Sequence, residues 1–184
     1  DNGQATGIEL SNGKIVKADI VISNADLYHT ETSLVSKSDQ SYPQSYWDKQ
    51  QAGPSALLMY LGIKGKLPKF EHHNLLFVEQ WKENFQDIYV NKKPPTKASI
   101  YICKPSQSDS SVAPKGDENI FVLVPLPSGI NLNASQQRKL SDHYLEQIKT
   151  MTKTDLKSKI ISQSYYGPND FATKLYSWQS SMLG

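Results

Sequence analysis

The chain has little cysteine and little net charge. Cys103 is the only cysteine among 184 residues, so neither an intrachain disulfide nor a cysteine-based metal site is predicted. The 20 Lys and Arg nearly balance the 18 Asp and Glu, which leaves a net charge of +2 and predicts no nucleic-acid partner. The longest apolar run, Ala56–Leu61, is far shorter than the ~20 residues that cross a bilayer. Any membrane contact is therefore expected to be peripheral.

Recognisable catalytic motifs are also missing. The sequence contains no G-x-G-x-x-G fingerprint, no P-loop and no G-x-S-x-G nucleophile elbow. Carboxylates occur singly, and no predicted helix face carries a pair suited to acid–base catalysis. The residues by themselves predict an α+β domain whose catalytic residues are unknown.

The clearest structural signal is a pair of predicted strands in the middle of the chain. Ser99–Lys104 is short and rich in β-forming residues, and Asn119–Val124 is almost wholly apolar. An apolar run of this length, closed by Pro125 and Pro127, predicts a central strand buried on both faces. The stretch between the two strands is rich in Ser, Asp, Pro and Gly, which predicts a loop.

The first residues predict a hairpin followed by a buried strand. Asn12-Gly13 lies between two short apolar runs, which is the strongest local signal for a hairpin with a type I′ turn. Ile20–Ile22 is predicted as a short buried strand. Asn24 is predicted as the N-cap of a helix that begins near Asp26.

Apolar spacing predicts the remaining elements. Alternation along the chain indicates strands, and apolar positions three or four apart indicate helices. Together they predict a mixed, largely antiparallel β-sheet with helices packed on it. The predicted strands are Ser55–Ile63, Leu75–Val78 and Ile160–Tyr165, and the predicted helices are Leu27–Leu34, Gln80–Tyr89, Ala134–Thr150 and one starting near Pro168.

His72 and His73 would be metal ligands by residue type. Adjacent residues of a strand point to opposite faces of its sheet, so the two rings are not expected to share one ion. No metal site is predicted. His143 lies beside the apolar stripe of the helix predicted from Ala134 and is expected to be structural or to lie at the solvent edge, and not to be catalytic.

Two features leave a choice between ordinary packing and a lipid surface. Tyr42, Tyr46 and Trp47 fall at helical spacing, which favours core packing, with a belt at a lipid interface as the alternative. The lysines are scattered or in small groups. A solvated surface is the plainer interpretation of those groups, and a contact with lipid headgroups is the other.

Six short blocks, in one order, resemble the bacterial carotenoid desaturases. The most specific is S-I-Y-x-x-x-P-S-x-x-D-x-S-x-A-P-x-G, followed by an apolar strand that ends V-P-x-P. Residues 7–26 resemble the returning strands of the wider group of amine-oxidase-like flavoproteins. The weaker blocks are A-L-L-M-Y-L-G from Ala56, H-H-N from His72, F-x-D-I-Y from Phe85, and G-P-x-D-F from Gly167, where Gly replaces the usual Thr.

The resemblance implies an FAD-dependent enzyme that desaturates a linear C30 or C40 isoprenoid, such as dehydrosqualene or phytoene. In that family a hydride passes from an allylic carbon to the flavin, a proton leaves the neighbouring carbon, and oxygen or a quinone reoxidises the flavin. Such a substrate forms no hydrogen bonds, so a long apolar tunnel is expected. The implied location is the cytoplasm, peripheral to the cytoplasmic membrane.

The resemblance also divides the chain into parts. Residues 1–26 would be returning strands of the FAD-binding domain, and residues 27–184 would be a substrate-binding domain that is incomplete at its C-terminal end. The family's dinucleotide fingerprint and its C-terminal flavin segment fall outside these residues. The chain is therefore expected to be a piece of a longer flavoprotein and not to retain FAD or desaturate by itself.

Candidate site residues follow from the same resemblance. Ser23, Asn24 and Ala25 are predicted to approach the flavin, although a capped helix start explains them equally well. Four aromatic residues on predicted strands are candidate contacts of the tunnel wall, with core packing as the alternative for each. They are Tyr60, Phe77, Tyr101 and Phe121.

Two other functions stay open at this point. Another amine-oxidase-like flavoprotein, such as a retinol-saturase-like enzyme, would place a polar, ion-lined pocket beside Tyr60. A non-enzymatic module for a hydrophobic ligand or a partner would lack a flavin domain upstream.

Overall fold

The computed structural model describes residues 3–183, and the chain divides into two compact units between Gln51 and Ala52. The functional boundary predicted at residue 26 lies within the first unit. It remains a prediction, because compactness does not report which residues serve the flavin.

The first unit begins with the predicted hairpin. Strands β1 (Gly7–Glu9) and β2 (Ile15–Lys17) pair antiparallel. The predicted type I′ turn is wrong, because Gly13 has a φ of +79° and Asn12 does not have a positive φ. The loop instead has three residues and ends on a glycine in the left-handed region, a common alternative for hairpins.

The predicted strand at Ile20–Ile22 is also wrong. This segment forms no strand, and Ile20 and Ile22 are 78% and 87% exposed. A strand needs a neighbour for its backbone N–H and C=O groups, and none pairs with this segment among residues 3–183. An apolar run predicts burial without identifying what buries it.

The helix that follows is capped by Asp26 and not by Asn24. The Asp26 Oδ1 accepts a hydrogen bond of 3.1 Å from the His29 backbone N–H. Helix α1 (Leu27–His29) continues into a π-helical turn, Thr30–Leu34, and α2 spans Gln44–Trp47.

Trp47 forms the core of the first unit. It is 7% exposed, and its ring packs edge-on against Tyr28 and Tyr46, with 5.2 Å between ring centroids in both pairs. Its indole N–H donates to the carbonyl of Tyr42 at 3.1 Å. Core packing therefore accounts for Trp47, whereas Tyr42 and Tyr46 stay more than a third exposed.

The second unit is an α+β structure built on one antiparallel sheet. Within residues 52–183 the strand order is β4-β5-β6-β3-β7. Its strands are β3 (Ser55–Ile63), β4 (His73–Leu76), β5 (Ile100–Cys103), β6 (Glu118–Leu126) and β7 (Ile160–Tyr166), and its helices are α3 (Trp81–Tyr89), α4 (Ala134–Thr152) and α5 (Pro168–Lys174).

One face of this sheet carries the core of the unit. Met59 of β3 and Val122 of β6 are fully buried, as are Tyr144 and Ile148 of α4. Alternate residues of β6 are only half-buried, so the predicted burial on both faces is wrong. The sheet is packed on one side, as antiparallel sheets commonly are.

Strand β6 also runs through Pro125, where the prediction ended it. Pro125 pairs with Ala56 of β3, while the pairing of β5 with β6 ends at Leu123. Pro125 has no N–H to donate, but no hydrogen bond to β5 is lost, because β5 does not extend to this position.

Helix α4 holds the chain segment that leads into β5. A reciprocal pair of hydrogen bonds between Asn133 and Gln136 caps its N-terminus. The Tyr144 hydroxyl donates to the carbonyl of Pro95 at 2.8 Å, and the Gln147 amide bonds both backbone groups of Ala98. His143 lies 2.7 Å from the carbonyl oxygen of Thr96, as expected of a structural histidine.

No helix within residues 3–183 has the length and apolar character needed to cross a membrane.

Candidate functional site

The candidate site is the face of the sheet that does not carry the core. Cross-strand pairs place its side chains in rows: Tyr60 is opposite Phe121, and Phe121 is opposite Cys103. A second row joins Leu58, Leu123 and Tyr101. We call this surface the open face, and its apolar members are Leu58, Tyr60, Leu75, Tyr101, Phe121 and Leu123.

Three of the four predicted tunnel residues lie together on the open face. The ring centroids of Tyr60 and Phe121 are 5.3 Å apart, and those of Tyr101 and Phe121 are 6.2 Å apart. These tilted and edge contacts are the arrangements that aromatic rings prefer. The rings form one continuous strip across β3, β6 and β5.

The open face is apolar and also accessible. Tyr60 is 47% exposed and Leu75 is 61% exposed, whereas the rings and side chains between them are half-buried. An antiparallel sheet normally presents polar side chains on its solvated side. An exposed apolar strip of this kind is typical of a surface that binds a ligand or a partner.

Phe77 lies apart from the other three predicted residues. It follows the end of β4 and is 71% exposed. It lines a separate groove of about 510 Å³ with His143, Gln147 and Met151 of α4. Four aromatic residues on predicted strands therefore serve two different surfaces.

A polar loop borders the open face. This loop, residues 104–117, contains two 3₁₀ turns, Pro105–Gln107 and Ser110–Val112. Its residues Val112, Ala113 and Pro114 line a depression of about 400 Å³ beside Tyr60. Its lining also includes the polar residues Asn119, Ser162 and Ser164.

Polar side chains of the S-I-Y block hold this loop in place. The Ser106 backbone N–H donates to Asn119 Oδ1 at 3.1 Å, and the Asn119 backbone N–H donates to Ser106 Oγ at 3.2 Å. Asp109 accepts from the backbone and the hydroxyl of Ser111 at 2.8 and 2.6 Å. The Asn119 amide also donates to the carbonyl of Val112. These side chains therefore shape the loop and have no need of a role in chemistry.

Glu118 is the buried charge at the base of this loop. The Ser106 hydroxyl donates to its carboxylate, and Lys66 Nζ lies 3.3 Å from it. Burial works to raise the pKa of Glu118, but these hydrogen bonds and the Lys66 and Lys104 charges outweigh it and lower that pKa. Lys104 is itself 2% exposed and donates to the carbonyl of Leu67 at 3.0 Å.

Replacing Ser106 by Ala is expected to lower the free energy of unfolding by about 1–3 kcal/mol, because a buried carboxylate loses a hydrogen bond. Urea denaturation at neutral pH measures this. Ser110→Ala in the same loop is the control, and its unfolding free energy should stay within about 0.5 kcal/mol of the unaltered value.

The lowered pKa of Glu118 stabilises the fold at pH values above the ordinary Glu pKa, and that contribution disappears as the pH falls. The Ser106→Ala loss should therefore shrink below about pH 4. A loss equal to that of Ser110→Ala would contradict the prediction.

The predicted flavin contacts lie in the first unit. Ser23, Asn24 and Ala25 are exposed and precede helix α1. The Ser23 and Thr30 hydroxyls are 2.7 Å apart. Their role toward a flavin stays a prediction.

The expectation that His72 and His73 point apart is wrong. His72 precedes the first residue of β4, so strand alternation does not govern it. The two ring centroids are 4.4 Å apart. Both rings therefore occupy the end of the open face nearest Cys103, which pairs with His73 across β4 and β5.

Sequence comparison finds relatives along nearly the whole chain. A carotenoid 3,4-desaturase of Haloarcula japonica is 33% identical over 177 residues, which is 96% of this chain and 36% of the relative. The chain is a homologue of the carotenoid desaturases and oxygenases. A 4,4′-diaponeurosporene oxygenase of Staphylococcus aureus is 30% identical over 181 residues, 97% of this chain and 36% of that protein.

A third relative of this carotenoid desaturase homologue covers less of it. A zeta-carotene-forming phytoene desaturase of Myxococcus xanthus is 34% identical over 127 residues, 69% of this chain and 24% of the relative. The chain spans about a third of the curated relatives that it matches over nearly its whole length. No family model matches the sequence.

Solved structures confirm the predicted fold class. A reduced UDP-galactopyranose mutase superposes with a TM-score of 0.56 at 17% identity, covering 90% of this chain and 32% of the mutase. An oxidoreductase of Methanosarcina mazei gives a TM-score of 0.50 at 19% identity, covering 91% of this chain and 35% of that protein. The homologue is therefore α+β, with a largely antiparallel sheet that forms part of an amine-oxidase-like fold.

Proposed function

We propose that this chain is the substrate-domain part of an FAD-dependent carotenoid desaturase, and that the open face is a wall of its polyene channel. The observation that carries the proposal is the aromatic strip of Tyr60, Phe121 and Tyr101 on an accessible sheet face. The substrate class is a linear C30 or C40 isoprenoid, such as dehydrosqualene or phytoene.

The strip suits a polyene for physical reasons. A linear isoprenoid has no hydrogen-bonding groups, so its binding depends on burying apolar area at about 25 cal/mol per Å². Neighbouring strands are ~4.8 Å apart, so the three strands that carry the aromatic rings span roughly 10 Å. Aromatic rings tilted across this span offer a continuous apolar surface to part of an extended, flat chain.

Residues 1–26 are proposed to complete the FAD-binding domain of the parent protein. The exposed apolar side chains of Ile20 and Ile22 suit a strand that pairs with further chain of that domain. Ser23, Asn24 and Ala25 follow at once and would approach the flavin. FAD held there would supply the hydride acceptor for desaturation at an allylic carbon, and oxygen or a quinone would be the final electron acceptor.

A peripheral contact with the cytoplasmic membrane is proposed for substrate entry. Phe77, Trp81 and Phe85 are each more than half exposed, and they follow one another along the end of β4 and helix α3. Aromatic side chains of this kind favour a lipid–water interface. The proposed location is accordingly cytoplasmic and membrane-peripheral.

A second candidate function is oxygenation of a carotenoid end group. It is favoured by the diaponeurosporene oxygenase of Staphylococcus aureus, which matches this chain over 97% of its length. Both functions place a long apolar substrate beside a flavin, so the same open face serves either.

The two functions are separated by the product that the full-length parent protein makes. The purified flavoprotein is incubated in liposomes either with phytoene or dehydrosqualene, or with diaponeurosporene, the carotenoid named in the oxygenase relative. Products are resolved by liquid chromatography with mass spectrometry. A desaturase removes two hydrogen atoms per step and shifts the absorption to longer wavelength, whereas an oxygenase adds oxygen. Flavin-stripped protein is the control. A parent protein that binds no flavin and changes neither substrate contradicts the proposal.

A further inference from the structure

Three metal-binding side chains meet at one end of the open face. One ligand atom from each of His72, His73 and Cys103 lies within 4.8 Å of the other two. His73 is exposed, and His72 and Cys103 are half-buried, so an ion can reach the cluster from solvent.

The fold brings these residues together through the pairing of β4 and β5. His73 is directly opposite Cys103 in that pair. The backbone N–H of Lys104 donates to the carbonyl of His72 at 2.8 Å, which anchors the residue before β4 against the residue after β5. Two histidines adjacent in sequence and one cysteine about thirty residues away thus share a single corner of the sheet.

Hydroxyl groups hold both imidazole rings. Nδ1 of His72 is 2.7 Å from Ser108 Oγ, and Nδ1 of His73 is 2.7 Å from the Tyr101 hydroxyl. Hydrogen bonds of this kind fix the orientation of metal-binding histidines in known sites. Tyr101 and Cys103 are two residues apart on β5, so their side chains lie on the same face of the sheet.

We propose that His72, His73 and Cys103 bind a divalent transition-metal ion of the zinc class. Two imidazoles and one thiolate form a donor set that zinc accepts, with a fourth position left for water or an exogenous ligand. On binding, the Cys103 thiol loses its proton to solvent and the sulfur bonds to the ion. Zn–N bonds of ~2.0 Å and a Zn–S bond of ~2.3 Å require the donors to close by about 1 Å, which side-chain rotation supplies.

Metal binding at this site requires neither the flavin nor the isoprenoid, although the site lies at one end of the open face. Its three ligands all belong to the second unit, and none of them is among the residues assigned to FAD or the aromatic residues assigned to the channel wall. Tyr101 is the one shared residue, because its ring lies on the open face while its hydroxyl contacts His73. Metal binding can therefore be tested without an assay of desaturation.

The test is a cobalt titration of the chain without an affinity tag. Co²⁺ bound by a thiolate gives a sulfur-to-cobalt charge-transfer band, and tetrahedral coordination gives strong visible bands. We expect one ion per chain, and we expect Zn²⁺ to displace it and bleach both sets of bands. Absence of the charge-transfer band, or Co²⁺ binding that Zn²⁺ does not displace, overturns the proposal.

Variants assign the ligands. Cys103→Ala should abolish the charge-transfer band, and His72→Ala or His73→Ala should each weaken cobalt binding at least tenfold. His143→Gln, which alters a histidine on α4, is the matched control and should bind as the unaltered chain does. If both histidine variants bind Co²⁺ with full affinity, the histidines are not ligands, and the proposed site is refuted. If circular dichroism shows that a variant does not fold, the unaltered chain is treated with iodoacetamide with and without Zn²⁺. We expect Zn²⁺ to protect Cys103 from alkylation. Equal alkylation with and without Zn²⁺ contradicts the proposal.

Discussion

Tyr60→Glu is expected to lower turnover of a linear isoprenoid by the proposed parent flavoprotein by at least about 100-fold. Tyr60 is at the β3 end of the aromatic strip, and its ring centroid is 5.3 Å from that of Phe121. A carboxylate there would lie against an apolar chain that offers it no partner, and burying an unpaired charge costs several kcal/mol. A 100-fold change corresponds to only about 2.7 kcal/mol. Steady-state turnover with substrate in liposomes measures the effect.

Two variants at the same position separate charge from shape. Tyr60→Phe keeps the ring and should retain turnover within about threefold, and Tyr60→Gln should fall between Phe and Glu because it is polar without being charged. The unfolding free energy of Tyr60→Glu should change by only about 1 kcal/mol, since the side chain is 47% exposed. Equal turnover for Glu and Phe would show that the open face does not line the channel.

Tyr144→Ala is expected to lower the unfolding free energy of the second unit by about 3–5 kcal/mol, as truncation of a buried aromatic residue does. Tyr144 is fully buried, and its hydroxyl donates to the carbonyl of Pro95 at 2.8 Å. The substitution removes the ring from the core and also leaves that carbonyl without its donor. Denaturation in urea, followed by circular dichroism, reports the loss.

Tyr144→Phe is the matched variant, because it removes only the hydroxyl. The expected loss is about 1–3 kcal/mol, the cost of an unsatisfied buried carbonyl. Burial, with the nearby Asp87 charge, raises the pKa of Tyr144. A tyrosine with a raised folded pKa contributes stability below its ordinary pKa of ~10 and loses it at higher pH. Above about pH 10, the unfolding free energy of Tyr144→Phe should therefore depend less on pH than that of the unaltered chain. Equal losses of unfolding free energy in Tyr144→Phe and Tyr144→Ala would contradict the packing argument.

Local signals in the sequence predicted the elements well. The hairpin at Asn12-Gly13, strand β3 and helix α4 all follow from turn chemistry and apolar spacing within a short window. The buried face of β3 was also predictable, because Leu57, Met59 and Leu61 alternate with the exposed side.

Pairing between distant strands was not predictable. His73 and Cys103 are opposite each other only because β4 pairs with β5 in one register, and no local pattern encodes that register. The half-buried side of β6 and the exposed Ile20–Ile22 segment were missed for a related reason. Both runs are apolar, and a run of apolar residues does not reveal which chain covers it.

The polar residues of the S-I-Y block have a structural role in the loop beside the open face. Its Ser106 and Asp109 hold the loop beside the open face through hydrogen bonds to neighbouring residues. The block was therefore diagnostic of a loop shape next to the proposed channel. It was not diagnostic of reacting groups, which is why the catalytic residues stay unknown.

The order of strands in the sheet constrains how the polypeptide matures on the ribosome. Strand β3 is synthesised before both of its neighbours in the sheet, β6 and β7, which begin at Glu118 and Ile160. Its apolar side chains must therefore wait until the chain beyond Glu118 has been synthesised before the first neighbour can pair with it. Folding dominated by such distant pairings is slow, and the nascent chain exposes aggregation-prone surface during that interval.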